Sequence, residues 1–149
     1  MTRPLTGQER EAFLAEPHIA VISLPSDDER PPLAFPAWYA FHGGDRITYY
    51  THRTEPRSRK LRLLREGSVL SLCVQREEIP YKYVTVEGTV VDENEAPTAE
   101  ERLAIIDRYL AEGDARAYLD GEIASGVAIA LFTIRADRWV GFDFGEDAE

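Results

Sequence analysis

Residues 53–65 gather positive charge in an acidic chain. Arg53, Arg57, Arg59, Lys60, Arg62 and Arg65 stand there against the single acid Glu55, six of the 17 lysines and arginines in a protein of formal net charge -10. Clustered like charges repel one another unless an anion or an acidic partner neutralises them. The surrounding stretch, Ile47 to Leu64 (ITYYTHRTEPRSRKLRLL), passes from a strand rich in hydroxyl groups directly into a helix start. Backbone N–H groups at a helix start carry partial positive charge, and Arg57, Ser58, Arg59 and Lys60 fall in or near that first turn, so the pattern predicts a phosphate held by charge-assisted hydrogen bonds. The plain alternative is a helix with a solvated basic face.

Other chemistries find less support. His18, His42 and His52 sit on different elements without metal-ligand spacing, and no metal is expected. His52 is the one histidine beside the phosphate segment. Cys73, the sole cysteine, lies between Leu72 and Val74 and reads as a small core hydrophobe, with no disulfide framework to join. Ser23, Ser58 and Ser71 lack the G-x-S-x-G setting of a hydrolytic nucleophile. The net charge argues against general binding of nucleic acid or of an anionic membrane. Neither a membrane span nor a signal segment is read from the chain, so a cytoplasmic protein is expected.

The elements that must position these residues follow from periodicity and punctuation. The 149 residues suit one domain. Thr6 and Glu9 have capping-box spacing ahead of a helix to Glu16, and Thr98 and Glu101 repeat it ahead of a helix to about Glu112, whose apolar face is Leu103, Ile106, Tyr109 and Leu110. A further short helix is expected over Ala115–Leu119, and another over Pro56–Glu66 with Leu61 and Leu64 as its stripe. Strands are expected at His18–Leu24, Leu33–His42, Arg46–Thr51, Ser68–Gln75, Tyr81–Val91, Gly126–Arg135 and Arg138–Phe144, the last two across an Ala136–Asp137 turn. Gly43-Gly44-Asp45 marks a hairpin, and Gly88 a bulge or a close approach. Pro36 lacks a ladder donor, which puts its strand at an edge, at a bulge or against a ligand. Helices that fail to alternate with strands exclude a doubly wound parallel sheet, and a closed antiparallel barrel fits the order better.

In this order, Ala20 to Leu24, Pro36-Ala37-Trp38, Tyr49-Tyr50-Thr51 with Ser58-Arg59-Lys60, Tyr81 to Gly88, and Arg138-Trp139 resemble the pyridoxamine 5′-phosphate oxidase-like proteins. The resemblance spans nearly the whole chain. It implies a mainly β fold with short helices (α+β), a split antiparallel β-barrel of the FMN-binding split-barrel type. It also implies a homodimer with cofactor sites at the interface. Thr51, Arg57, Ser58 and Lys60 would hold the cofactor phosphate, the backbone of Pro36, Ala37 and Trp38 would lie against the ring, and Gln75 would approach the ring's polar edge. Trp139, with Arg138, would come from the second subunit. The implied cofactor is FMN or the deazaflavin coenzyme F-420, with haem a weaker alternative. The implied function is an oxidoreductase acting on a small molecule, or a non-catalytic module that binds the same cofactor. An adaptor for an acidic partner or nucleic acid through Arg53 to Arg65 is a third reading, opposed by the overall acidity.

Overall fold

Thr6 and Thr98 each accept from the backbone N–H three residues on, and Glu9 and Glu101 accept in return from the cap backbones, so both capping boxes start helices where the sequence predicts them. The computed structural model describes residues 2–55 and 57–145. In chain order its elements are β1 (Arg3–Pro4), α1 (Gly7–Ala15), β2 (Ala20–Leu24), β3 (Leu33–Ala37), β4 (Ala40–Phe41), β5 (Arg46–His52), α2 (Arg59–Leu63), β6 (Val69–Arg76), β7 (Tyr81–Asn94), α3 (Ala99–Ile106), α4 (Glu112–Ser125) and β8 (Ile129–Gly145).

The strands form one eight-stranded antiparallel sheet in the order β3-β2-β6-β7-β8-β5-β4, with β1 added beside β8. Its two ends, β3 and β4, follow each other in sequence but do not pair among the described residues, so the barrel is split and not closed. The reason lies at Trp38-Tyr39, where the single strand expected over Leu33–His42 breaks. Tyr39 turns its ring fully into the core, donates its hydroxyl to Leu14 O at 2.9 Å, and sends its N–H to the Tyr109 hydroxyl at 3.2 Å instead of into a ladder. Pro36 falls on β3, an edge strand paired only with β2.

Five further expectations change. The two strands expected either side of Ala136–Asp137 are one 17-residue strand, β8. Its first part lies between β5 and β7 and its second between β7 and the short β1, which meets it at Phe142 and Asp143, the β7 register shifting at Glu87/Gly88. The Ala136 N–H donates to Asp45 O at 2.7 Å and Asp137 accepts from Thr89 and Arg135, so this pair forms an irregularity in the ladder without ending the strand. The helix expected over Pro56–Glu66 is five residues long, because Leu64 leaves helical geometry and is buried; Pro56 itself lies outside the described residues. The helix expected at Ala115–Leu119 extends over Glu112–Ser125 and closes on Gly126 at φ 69, while α3 stops at Ile106. Cys73 is half-buried on the outer sheet face, since Leu70, Leu72 and Val74 take the inward positions of β6.

The core lies inside the sheet's curvature, with Leu14, Ile22, Leu24, Leu72, Val84, Val86, Phe132 and Ile134 in one buried cluster. A smaller cluster of Ile106, Ala115 and Leu119 ties α3 to α4, and a neighbouring one of Ala40, Ile105 and Leu131 seats α3 on the sheet.

Candidate functional site

Where β5 passes into α2, a cavity of about 280 Å³ is lined by Thr51, His52, Thr54, Glu55, Ser58, Lys60 and Leu61. Lys60 is held in place on two sides: its ammonium lies 4.2 Å from the centre of the Phe35 ring and 3.4 Å from the Tyr49 hydroxyl. Ser58 caps α2, its Oγ accepting from the Leu61 N–H at 3.3 Å. A single short turn adds little dipole, so an anion here would be held by Lys60 and the hydroxyls of Thr51 and Ser58 more than by the helix start. That donor set fits a phosphate.

Three more residues of the basic run are engaged elsewhere. Arg59 turns away to Ser26 Oγ and Pro31 O at 3.1 and 2.6 Å, pinning the loop between β2 and β3. Arg62 pairs with Asp27 at 3.1 Å, and Arg53 with Glu93 and Glu95, each at 2.9 Å. Arg57 is exposed and does not line the cavity. Half of the basic run is therefore held by acids, a hydroxyl and a carbonyl from distant segments.

A second cavity of about 290 Å³ shares Thr51 and His52 with the first and extends to Pro36, Ala37, Trp38, Tyr49, Tyr50, Ile105, Tyr118 and Glu122. Trp38 forms its aromatic floor. The indole stacks on Tyr109 with centroids 4.8 Å apart and planes 11° apart, and Tyr118 of α4 stands 5.9 Å away, tilted at 43°. Tyr109 is itself fixed, donating its hydroxyl to His18 O at 2.8 Å.

The wall beside this floor is polar and buried. Glu122 Oε1 accepts from the Tyr50 hydroxyl at 2.8 Å and from Arg102 Nη2 at 2.9 Å, while Oε2 lies 2.7 Å from His52 Nε2. Burial alone would raise the Glu122 carboxyl, but hydrogen bonds from His52, Arg102 and Tyr50, with the charge of Arg102, outweigh it and hold the carboxyl below the usual carboxylate range. Burial, reinforced by donation to Glu122, pushes the Tyr50 hydroxyl well above the ordinary tyrosine value. Sequence reading missed Glu122 and Arg102 because both sit on helices and meet β5 only through the fold. The available signal was Tyr50 and His52, two apart on one strand and so on one face.

Of the residues singled out in the sequence, Pro36, Ala37, Trp38, Thr51, Ser58 and Lys60 meet at these joined cavities. Gln75 is exposed on the outer sheet face in register with Tyr83. Arg138 is exposed on that face, its Nε 3.9 Å from Glu87, and lines a separate cavity of about 490 Å³ with Ser23, Val69 and Ser71. Trp139 packs edge-on to Phe41 at 6.3 Å beneath the Arg10 guanidinium, 4.6 Å from its ring. Among the described residues no three His, Cys, Asp or Glu side chains converge as a metal site would require, and no helix is long and apolar enough to cross a membrane.

No protein-family model matches the chain, and no curated protein is similar to it in sequence. Solved structures are similar in fold. A FAD-binding protein from Mesorhizobium loti is 18% identical with a TM-score of 0.62, the match covering 96% of each chain. An F-420 reductase is 21% identical with a TM-score of 0.64, over 87% of this chain and 94% of its own. A FAD and haem binding protein from Mycobacterium smegmatis is 19% identical with a TM-score of 0.64, over 97% of this chain and 73% of its own. The chain has the split-barrel fold of these proteins, the fold that the pyridoxamine 5′-phosphate oxidase-like resemblance implies.

Proposed function

We propose that the chain is an oxidoreductase that binds a flavin-type cofactor, FMN or coenzyme F-420, at a homodimer interface and exchanges hydride between it and a small organic molecule. The observation that carries this reading is the continuity of the two cavities through Thr51 and His52, with phosphate donors at one end and the Trp38 floor at the other. Thr51, Ser58 and Lys60 would hold the phosphate, and the edge from Pro36 to Trp38 would lie along the ring. A bound cofactor of this kind supplies the hydride chemistry itself. The protein's part is to orient the ring and limit water around it, which the Trp38–Tyr109 stack and the buried Glu122 wall are placed to do.

Two copies would pair through the outer sheet face. Val21, Cys73, Thr85 and Val140 stand in register across β2, β6, β7 and β8, and Val21 and Val140 are 44% and 43% exposed. Gln75 and Arg138 lie on this face, where a second subunit would carry them toward its partner's cleft.

The test is titration of the purified protein with FMN and, separately, with coenzyme F-420, followed by protein and cofactor fluorescence. Saturable micromolar binding of either supports the reading. Lys60→Ala should weaken that binding about tenfold or more, since a hydrogen bond to a charged group contributes roughly 1.5–3 kcal/mol, while Arg57→Ala should change it little. Equal affinity in wild type and Lys60→Ala would remove the phosphate assignment. Binding without turnover of the reduced cofactor would make the chain a carrier.

A further inference from the structure

His52 stands between the two cavities and a buried ion pair. Glu122 and Arg102, its partners behind the cavity wall, have side chains only 8% and 10% exposed, whereas the His52 side chain is 46% exposed. With Glu122 ionised, His52 Nε2–H donates to Oε2 and the ring's orientation is set. Nδ1 is then the nitrogen left to exchange a proton with a ligand or with water. The Glu122 and Arg102 charges cancel, so a protonated His52 gives the group one net positive charge and a neutral one gives it none. The same cavity has flat walls, the Trp38 indole and the Tyr118 ring with centroids 5.9 Å apart.

We propose that His52 is the proton donor of this site and that it acts on the oxygen of a planar conjugated ligand, a carbonyl compound or the corresponding oxyanion, seated against Trp38 and Tyr118. The proposal rests on the reading of the cleft as a reduction site. Reduction of a conjugated carbonyl adds a hydride to carbon and a proton to oxygen. The reduced flavin-type cofactor supplies the hydride with its electron pair, His52 gives the proton, and solvent reprotonates the half-exposed imidazole.

The groups facing His52 are Glu122 and Tyr118 from α4, Arg102 from α3, Tyr50 from β5, and Glu55 and Lys60 across the polar cavity. Among these side-chain types, histidine alone ordinarily changes charge between about pH 5.5 and pH 8.5.

Benzoate is a suitable probe, being planar, oxygen-bearing and ionised throughout that range. Calorimetric titration of the cofactor-free protein should give affinity about tenfold weaker at pH 8.5 than at pH 5.5, the scale of a lost charge-assisted hydrogen bond. His52→Gln, at a half-exposed position, should keep the fold by circular dichroism and lose the pH dependence. Trp38→Ala should weaken binding at both pH values, and benzoate should still bind after saturation with cofactor. Absence of saturable benzoate binding, an unchanged pH dependence in His52→Gln, or displacement of benzoate by the cofactor would each overturn the proposal. Failure of FMN and F-420 to bind while His52-dependent benzoate binding persists would instead sink the reduction reading, and the proton-transfer role with it, and leave His52 as an oxyanion-binding group.

Discussion

A carboxylate with 8% of its side chain exposed must be compensated, and Glu122 is compensated by three side chains from two elements: Tyr50 and His52 on β5 and Arg102 on α3. Its carboxyl lies below the ordinary range in the folded protein, so the ionised form binds the fold more strongly than the protonated one. The resulting stability is fully present above the unfolded carboxyl value and is lost as pH falls through the lower folded value. Glu122→Gln should therefore flatten the acid side of a plot of Tm against pH. At neutral pH it should cost about 3 kcal/mol, because it leaves the buried Arg102 without its counter-charge. Thermal melts of both proteins across the acidic range check this; parallel curves would mean that the carboxylate is not ionised in the fold. This cluster was not legible in the sequence, since Glu122 lies 70 residues from His52 and 20 from Arg102, with no local pattern joining them. That Thr51, Ser58 and Lys60 line one cavity was legible because they are neighbours along the chain. Arg59 was misread for the converse reason, its partners Ser26 and Pro31 lying on a distant loop.

At the scale of elements, alternation and punctuation identified most of the sheet, and the errors fall where tertiary contacts replace local rules. The Ala136–Asp137 pair looked like a turn because turn residues are polar and small, yet the Asp45 carbonyl and the β7 register keep the strand continuous there. The Gly88 expectation holds in detail. A Cβ at that position would meet Ile134 Cγ2 at 2.8 Å and the Arg135 carbonyl oxygen at 2.9 Å, and the second of these is backbone that has little room to yield. Gly88→Ala should cost roughly 2 kcal/mol, as overpacking does. Gly121 gives the contrast: it lies inside α4, and a Cβ there would meet nothing within 4 Å. Gly121→Ala should stabilise the protein by about 0.5–1 kcal/mol through helix propensity alone. Urea melts of the two variants separate the cases; equal effects would mean that the close approach of β8 to β7 does not constrain position 88.

For the molecule as a whole, the split in the barrel has a consequence for assembly. Failure of β3 to pair with β4 leaves the Pro36 edge free beside the cavity, and the sheet that curves away from it turns its outer face to solvent. Val21, Cys73, Thr85 and Val140 align across that face, and its Arg138 and Glu87 carry opposite charges at one margin. An isologous pair needs a patch complementary to itself, and apolar residues flanked by both signs of charge meet that need. Thr85 stands in the middle of the row, so Thr85→Arg places a charge where two faces would meet and leaves the core residues Val84 and Val86 untouched. Sedimentation velocity should then show a monomer where the wild type shows a dimer, with melting otherwise little changed. If Gln75 and Arg138 complete the partner's site, cofactor affinity should fall with the loss of the dimer even though Lys60, Thr51 and Ser58 remain intact. A monomeric variant with undiminished affinity would place the whole binding site within one subunit, and a variant that stays dimeric would move the interface to another face.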